Sequence, residues 1–144
     1  MNTVSQILKA KGKEIWSISP HATVYEALQM LADKDVGALL VVDEWKLVGI
    51  FSERDYARKV ILKGKSSKET SVGELMTKEV LYVSPTDTIG NCMALMSAKR
   101  VRHLPVLENE RLLGIVTIGD VVSQIISEQQ YAIEALEKYI YGGA

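Results

Sequence analysis

Two stretches of this sequence carry residue types whose spacing can do chemistry: Gly49-Ile50-Phe51-Ser52-Glu53-Arg54-Asp55 and Gly114-Ile115-Val116-Thr117-Ile118-Gly119-Asp120. Each sets an acid three positions after a hydroxyl residue, behind a glycine and two apolar residues. A hydroxyl at a helix N-cap with an acid at the third helical position is a capping box, worth ~1 kcal/mol of helix stability. The same geometry serves a second purpose. A helix N-terminus in a cleft offers backbone N–H groups to phosphate, and a neighbouring carboxylate accepts both hydroxyl protons of a ribose diol. The spacing occurs twice, and capping alone would equally accept Glu or Gln. The pattern therefore favours nucleotide binding by at least one copy.

The elements that must position these residues are duplicated as well. Sliding the sequence by 65 positions superposes Lys13 to Ile61 on Lys78 to Ile126 without a gap, with 14 of 49 pairs identical. Val4 to Leu8 also meets Val72 to Met76, so each copy has a lead-in segment, the first ended by Gly12. A short strand over Glu14 to Ser19, stopped by Pro20, matches Val80 to Ser84, stopped by Pro85. Thr23 and Thr88 each precede a helix whose apolar face is Val24, Ala27, Leu28, Leu31 or Ile89, Cys92, Met93, Met96. Two strands follow in each copy, Val36 to Asp43 with Lys46 to Phe51, and Val101 to Glu108 with Arg111 to Val116. A helix then runs from Glu53 to about Lys63 with Gly64 as its stop, and from Ile118 to about Glu128. Ile133, Leu136, Tyr139 and Ile140 recur at helical spacing in a separate terminal helix. Each unit of about 60 residues is too small for a comfortable core and well sized as half of a paired domain.

Composition excludes several classes. With 17 basic and 18 acidic residues the net charge is −1, which gives no general attraction for nucleic acid or an anionic membrane. The single Cys92 rules out an internal disulfide and a Cys-rich zinc site, and it suits a small core filler. His21 and His103 lie too far apart in sequence to suggest a metal-ligand cluster. No nucleophile has a base at useful spacing and no Walker-type loop occurs, so an enzyme is not expected. No apolar run is long enough for a membrane span and no signal peptide is evident, which makes the cytoplasm the expected location.

A unit with a lead-in segment, Ser19-Pro20 or Ser84-Pro85 after its first strand, His103-Leu104-Pro105-Val106 in its hairpin, and the glycine-to-aspartate motif running into its last helix resembles the CBS domain. Two in tandem resemble a Bateman module of the stand-alone bacterial and archaeal type, over nearly the whole chain from Val4 to Ile126. The resemblance implies an α/β fold of two pseudo-symmetric β-α-β-β-α units packed sheet to sheet, plus a C-terminal helix. Unit 1 would span residues 1–64, a connecting loop 65–70, unit 2 71–128, and the C-terminal helix and tail 129–144. It also implies adenosine-containing ligands in clefts between the units (AMP, ADP, ATP, NAD(H) or S-adenosylmethionine), no catalytic cofactor, a homodimer, and a regulated protein partner that the sequence does not identify.

Carried over position by position, the resemblance places Thr117 and Asp120 in a cleft with Trp16, Val36, Gly37 and Ala38. Ser52 and Asp55 would share the other cleft with Thr77, Leu81, Val101, Arg102 and His103, and Arg54 would add a cation there. The Asp55 cleft is therefore expected to hold phosphates, and the Asp120 cleft, beside Gly37, Ala38 and Gly119, to offer room for a bulkier group. Trp16 is a core residue or a stacking face for adenine. Leu40 stands where the second copy has Pro105, a departure expected to affect the strand and not binding. The competing reading is a dimerisation module with empty clefts, its motifs acting only as helix caps.

Overall fold

The structure, a computed structural model, describes residues 2–12 and 14–141. Its elements are α1 (Val4–Lys11), β1 (Ser17–Ile18), α2 (Val24–Lys34), β2 (Ala38–Asp43), β3 (Lys46–Ser52) and α3 (Glu53–Asp55), which continues as a π-helical stretch (Tyr56–Ile61). The second half contains α4 (Val72–Leu75), α5 (Ile89–Lys99), β4 (His103–Glu108), β5 (Arg111–Thr117) and α6 (Ile118–Ile140).

Local chemistry accounts for the repeated elements. The Thr23 and Thr88 hydroxyls accept from the backbone N–H of Glu26 and Asn91, starting α2 and α5. These helices bury Val24, Ala27, Leu31 and Ile89, Cys92, Met96, the expected apolar faces. Strand β2 pairs antiparallel with β3, and β4 with β5. Each hairpin turns through two residues in the left-handed region, Glu44-Trp45 and Asn109-Glu110, whose twist matches that of the strands.

The first strand of each unit shows what one substitution does. In unit 1, Leu40 N–H donates to the Trp16 carbonyl at 3.2 Å, and β1 lies parallel to β2. In unit 2 the corresponding residue, Pro105, has no N–H to give. The strand expected over Val80 to Ser84 is accordingly reduced to a single parallel bridge between Val83 and Val106.

The packed bodies differ from the sequence repeats. Val4, Ile7 and Leu8 of α1 join the core of unit 2, with Val83, Ile89, Cys92, Met96, Leu104, Val106, Val116 and Val121. Val72 and Leu75 of α4 join the core of unit 1, with Val24, Ala27, Leu31, Leu39, Val41, Phe51 and Val60. Each lead-in segment thus completes the unit other than the one it precedes. Backbone bonds fix the exchange: Val4 N–H to Asp87 O, Ile89 N–H to Asn2 O, Val72 N–H to Ala22 O, and the mutual pair of Ile50 with Thr77. The two motif glycines make room for it. A Cβ on Gly49 would stand 2.5 Å from Met76 Sδ, and one on Gly114 would stand 2.8 Å from Leu8 Cδ2. The repeats of the sequence are therefore not the packed bodies, and the N-terminal helix closes the second core from the far end of the chain.

Two helix expectations need correction. The C-terminal helix is not separate: α6 runs unbroken through Ile140, because Glu128, Gln129 and Gln130 are good helix formers and none interrupts the hydrogen-bond ladder. The helix after Ser52 is α-helical for only one turn before it widens, and it ends at Ile61 ahead of Gly64 at φ 68°. Cys92 is fully buried, and burial together with Asp87 raises its thiol pKa, in keeping with core filling.

Candidate functional site

Both motifs form capping boxes. Ser52 Oγ accepts from Asp55 N–H at 3.2 Å while Asp55 Oδ2 accepts from Ser52 N–H at 2.9 Å, and Thr117 and Asp120 repeat this at 3.2 and 2.9 Å. Beyond the caps the two acids part company.

Asp55 is saturated. Its Oδ2 also accepts from Ser52 Oγ at 3.0 Å, and its Oδ1 takes the Thr77 hydroxyl at 3.0 Å and the Lys59 ammonium at 2.9 Å. Lys59 is tied in turn to the Leu75 carbonyl at 3.1 Å. With four donors on two oxygens and only 8% of its surface exposed, Asp55 is the core's buried carboxylate. Thr77 is where the sequence predicted it, beside Asp55, delivered by the exchanged segment that begins with α4.

Asp120 is open. Its Oδ2 holds Thr117 N–H and the Lys11 ammonium, the latter at 2.7 Å, and among the described residues no hydrogen bond reaches its Oδ1. It lies in the first turn of the 23-residue α6, where the helix dipole favours a negative charge. A cavity of about 200 Å³ adjoins it, lined by Ile7, Ala10, Lys11, Asp120, Ser123 and Gln124.

His103 lies beside the second motif. It faces Thr117 across the β4–β5 ladder. Burial, then the nearby Lys11 ammonium and Arg102 guanidinium, push its pKa below the usual histidine value, against an opposing pull from Asp120. Arg102 is on the same strand approach, and its carbonyl accepts from Ile118 N–H at the start of α6. Each acid carries one lysine, Lys59 on Asp55 and Lys11 on Asp120, and Lys11 and Arg102 help to disfavour the charged form of His103. The hairpin sets the start of each first strand beside the hydroxyl residue of its own unit, so Ala38 likewise faces Ser52.

A Cβ on Gly37 would lie 3.7 Å from the His103 ring and 3.8 Å from Glu53 Oε1, ordinary contact distances, so the two units approach each other here with room for a methyl group. Gly119 has only its neighbour Thr117 Oγ1 within ordinary contact. Arg54 is turned to a backbone carbonyl, donating to Arg100 O at 3.2 Å and pinning the start of α3 to the end of α5. Trp16 is half-buried: with Val36 it packs against the unit 1 cluster, and the Lys34 ammonium lies 4.3 Å from its ring centroid. Leu81 and Val101 pack against the unit 2 cluster.

The sequence reading missed both lysines. Lys59, four residues after Asp55 on one helix, had a local signal in its spacing. Lys11 is 109 residues from Asp120 and had none. Among the described residues no group of three or more His, Cys, Asp or Glu side chains could hold a metal ion, and no helix is long and apolar enough to cross a membrane.

The CBS domain family matches residues 4–62 and 72–127. The CBS domain-containing protein CBSX3, mitochondrial, of Arabidopsis thaliana is 40% identical over 98% of this chain and 73% of its own. A solved putative signal-transduction protein with CBS domains from Burkholderia ambifaria is 50% identical, with a TM-score of 0.86, over 89% of this chain and 96% of that one. The structure of CBSX2 in complex with AMP is 27% identical, with a TM-score of 0.75, over 88% of this chain and 98% of that one. The doubled motif, the paired hairpins and these matches have one meaning: the chain belongs to the CBS-domain family and carries two CBS domains in tandem.

Proposed function

We propose that this CBS pair is a non-catalytic regulatory module that binds an adenosine-containing nucleotide at Asp120 and passes the event to a protein partner. The observation that carries the proposal is the unequal state of the two acids. Asp120 keeps an oxygen for a ribose hydroxyl at a helix N-terminus, with the Lys11 ammonium beside it as a partner for phosphate. CBSX2, a similar protein, was solved with AMP. AMP, ADP, ATP and NAD(H) all present the ribose and phosphate groups this arrangement can recognise. The same observation supports the competing, structural role for Asp55, whose acceptors are filled from within. We extend the proposal to a homodimer built on the outer face of α6, where Ile126, Ile133, Leu136 and Ile140 are exposed.

A thermal-shift panel of AMP, ADP, ATP, NAD, NADH and S-adenosylmethionine tests the ligand. A nucleotide at 100 times its dissociation constant adds ~2.7 kcal/mol, on the order of 5–10 °C for a chain of this size. A flat response to all six would leave the dimerisation module as the better description.

A further inference from the structure

We infer that Lys11 is a latch on the nucleotide site, holding Asp120 in the free protein and passing to the ligand's phosphate on binding; this rests on the nucleotide reading above. Lys11 is the last residue of α1, and Gly12 at φ 91° ends the helix just beyond it. The helix is fixed on unit 2 by the buried Val4, Ile7 and Leu8, so the base of the lysine side chain is held while its four-carbon stem leaves the head free to move. That head bridges Asp120 Oδ2 at 2.7 Å and the Ile115 carbonyl at 3.0 Å, both in unit 2.

A carboxylate recognises a diol best as a free charged acceptor. An ammonium at 2.7 Å takes one of its oxygens and offsets its charge, so a nucleoside must compete with Lys11 for Asp120. A phosphate changes the balance, because it gives the ammonium an anionic partner and releases the carboxylate to the ribose. The site therefore discriminates nucleotide from nucleoside through a residue on the exchanged N-terminal helix. The first motif has no such device, since Lys59 rises from the same helical segment as its acid and is bonded into the buried contacts of Leu75 and Thr77.

The test is Lys11→Met, with Lys11→Arg as a charge-preserving companion, titrated calorimetrically with adenosine and with AMP after circular dichroism confirms the parent fold. In Lys11→Met, adenosine should bind several-fold more tightly and AMP about tenfold more weakly, as loss of one charge-assisted phosphate contact requires. Lys11→Arg should keep the parent's preference for AMP over adenosine. If the parent binds AMP and Lys11→Met retains the parent's AMP-to-adenosine ratio, the latch is refuted and the nucleotide site stands. If the parent binds neither ligand, both fall together. Should Lys11→Met fail to fold, Lys11→Gln provides the same comparison, with an unchanged ratio again refuting the latch.

Discussion

Replacing each motif aspartate by alanine should separate stability from ligand binding. In Asp55→Ala the donors left without their acceptor are Ser52 N–H and Oγ, Thr77 Oγ1 and Lys59 Nζ. The lost capping box contributes ~1 kcal/mol, and the bond from Thr77 to a charged, nearly buried carboxylate ~2 kcal/mol. The lysine side chain is 41% exposed and rehydrates, so its ion pair adds little. The sum, ~3 kcal/mol, is a large part of a typical domain stability of roughly 5–15 kcal/mol and should lower Tm by on the order of 6–12 °C. Asp120→Ala loses one capping bond and a partly exposed pair, ~1 kcal/mol, or about 2–4 °C. The ligand response should run the other way. Scanning calorimetry of both variants, with and without AMP, should find Asp55→Ala unstable but still shifted by AMP and Asp120→Ala stable but unresponsive. Asp120→Ala retaining the parent's AMP shift, or Asp55→Ala folding normally while losing it, would refute the assignment of roles.

Three further outcomes follow from particular contacts. Gly49→Ala should cost ~1–3 kcal/mol and Gly114→Ala less, because the added methyl meets the Thr77 carbonyl at 3.0 Å in the first case and the movable end of Leu8 in the second; urea unfolding of the two variants orders them. The depressed pKa of His103, which faces Lys11, Arg102, Asp120 and, beside Gly37, Glu53, means that below about pH 6.5 the unfolded chain takes up a proton the folded chain refuses. Stability should accordingly fall as pH drops through that value toward the folded pKa, and His103→Gln should flatten the slope in denaturation curves measured on both sides of it. Sedimentation equilibrium should give about twice the 15.9 kDa chain mass at micromolar concentration, and Ile133→Glu with Leu136→Glu on the exposed stripe of α6 should restore the single-chain mass; a parent that already sediments as one chain would exclude the homodimer.

What the sequence determined was mostly what neighbours along the chain govern. A cap reads three residues ahead, a hairpin closes through two, and a helix face repeats every three or four, so Thr23, Glu44-Trp45, Thr117 and Asp120 announced their elements in one dimension. The duplication was legible from the same repeated local patterns, whereas the strand expected over Val80 to Ser84 is reduced to one bridge opposite Pro105. Tertiary structure alone decided how the units share their parts. Nothing local says that Val4 and Leu8 belong to the second core, since an amphipathic helix specifies the face it buries and not the surface that receives it. The receiving surface exists only after β4, β5 and α5 have packed and left Gly114 uncovered. From that docking came the placement of Lys11 on Asp120 across 109 residues. The approach of His103 to Gly37 across the two units was likewise a tertiary result. The two motifs share the glycine, the isoleucine, a hydroxyl residue and the aspartate, and the difference between their acids lies in which segments of the folded chain reach them.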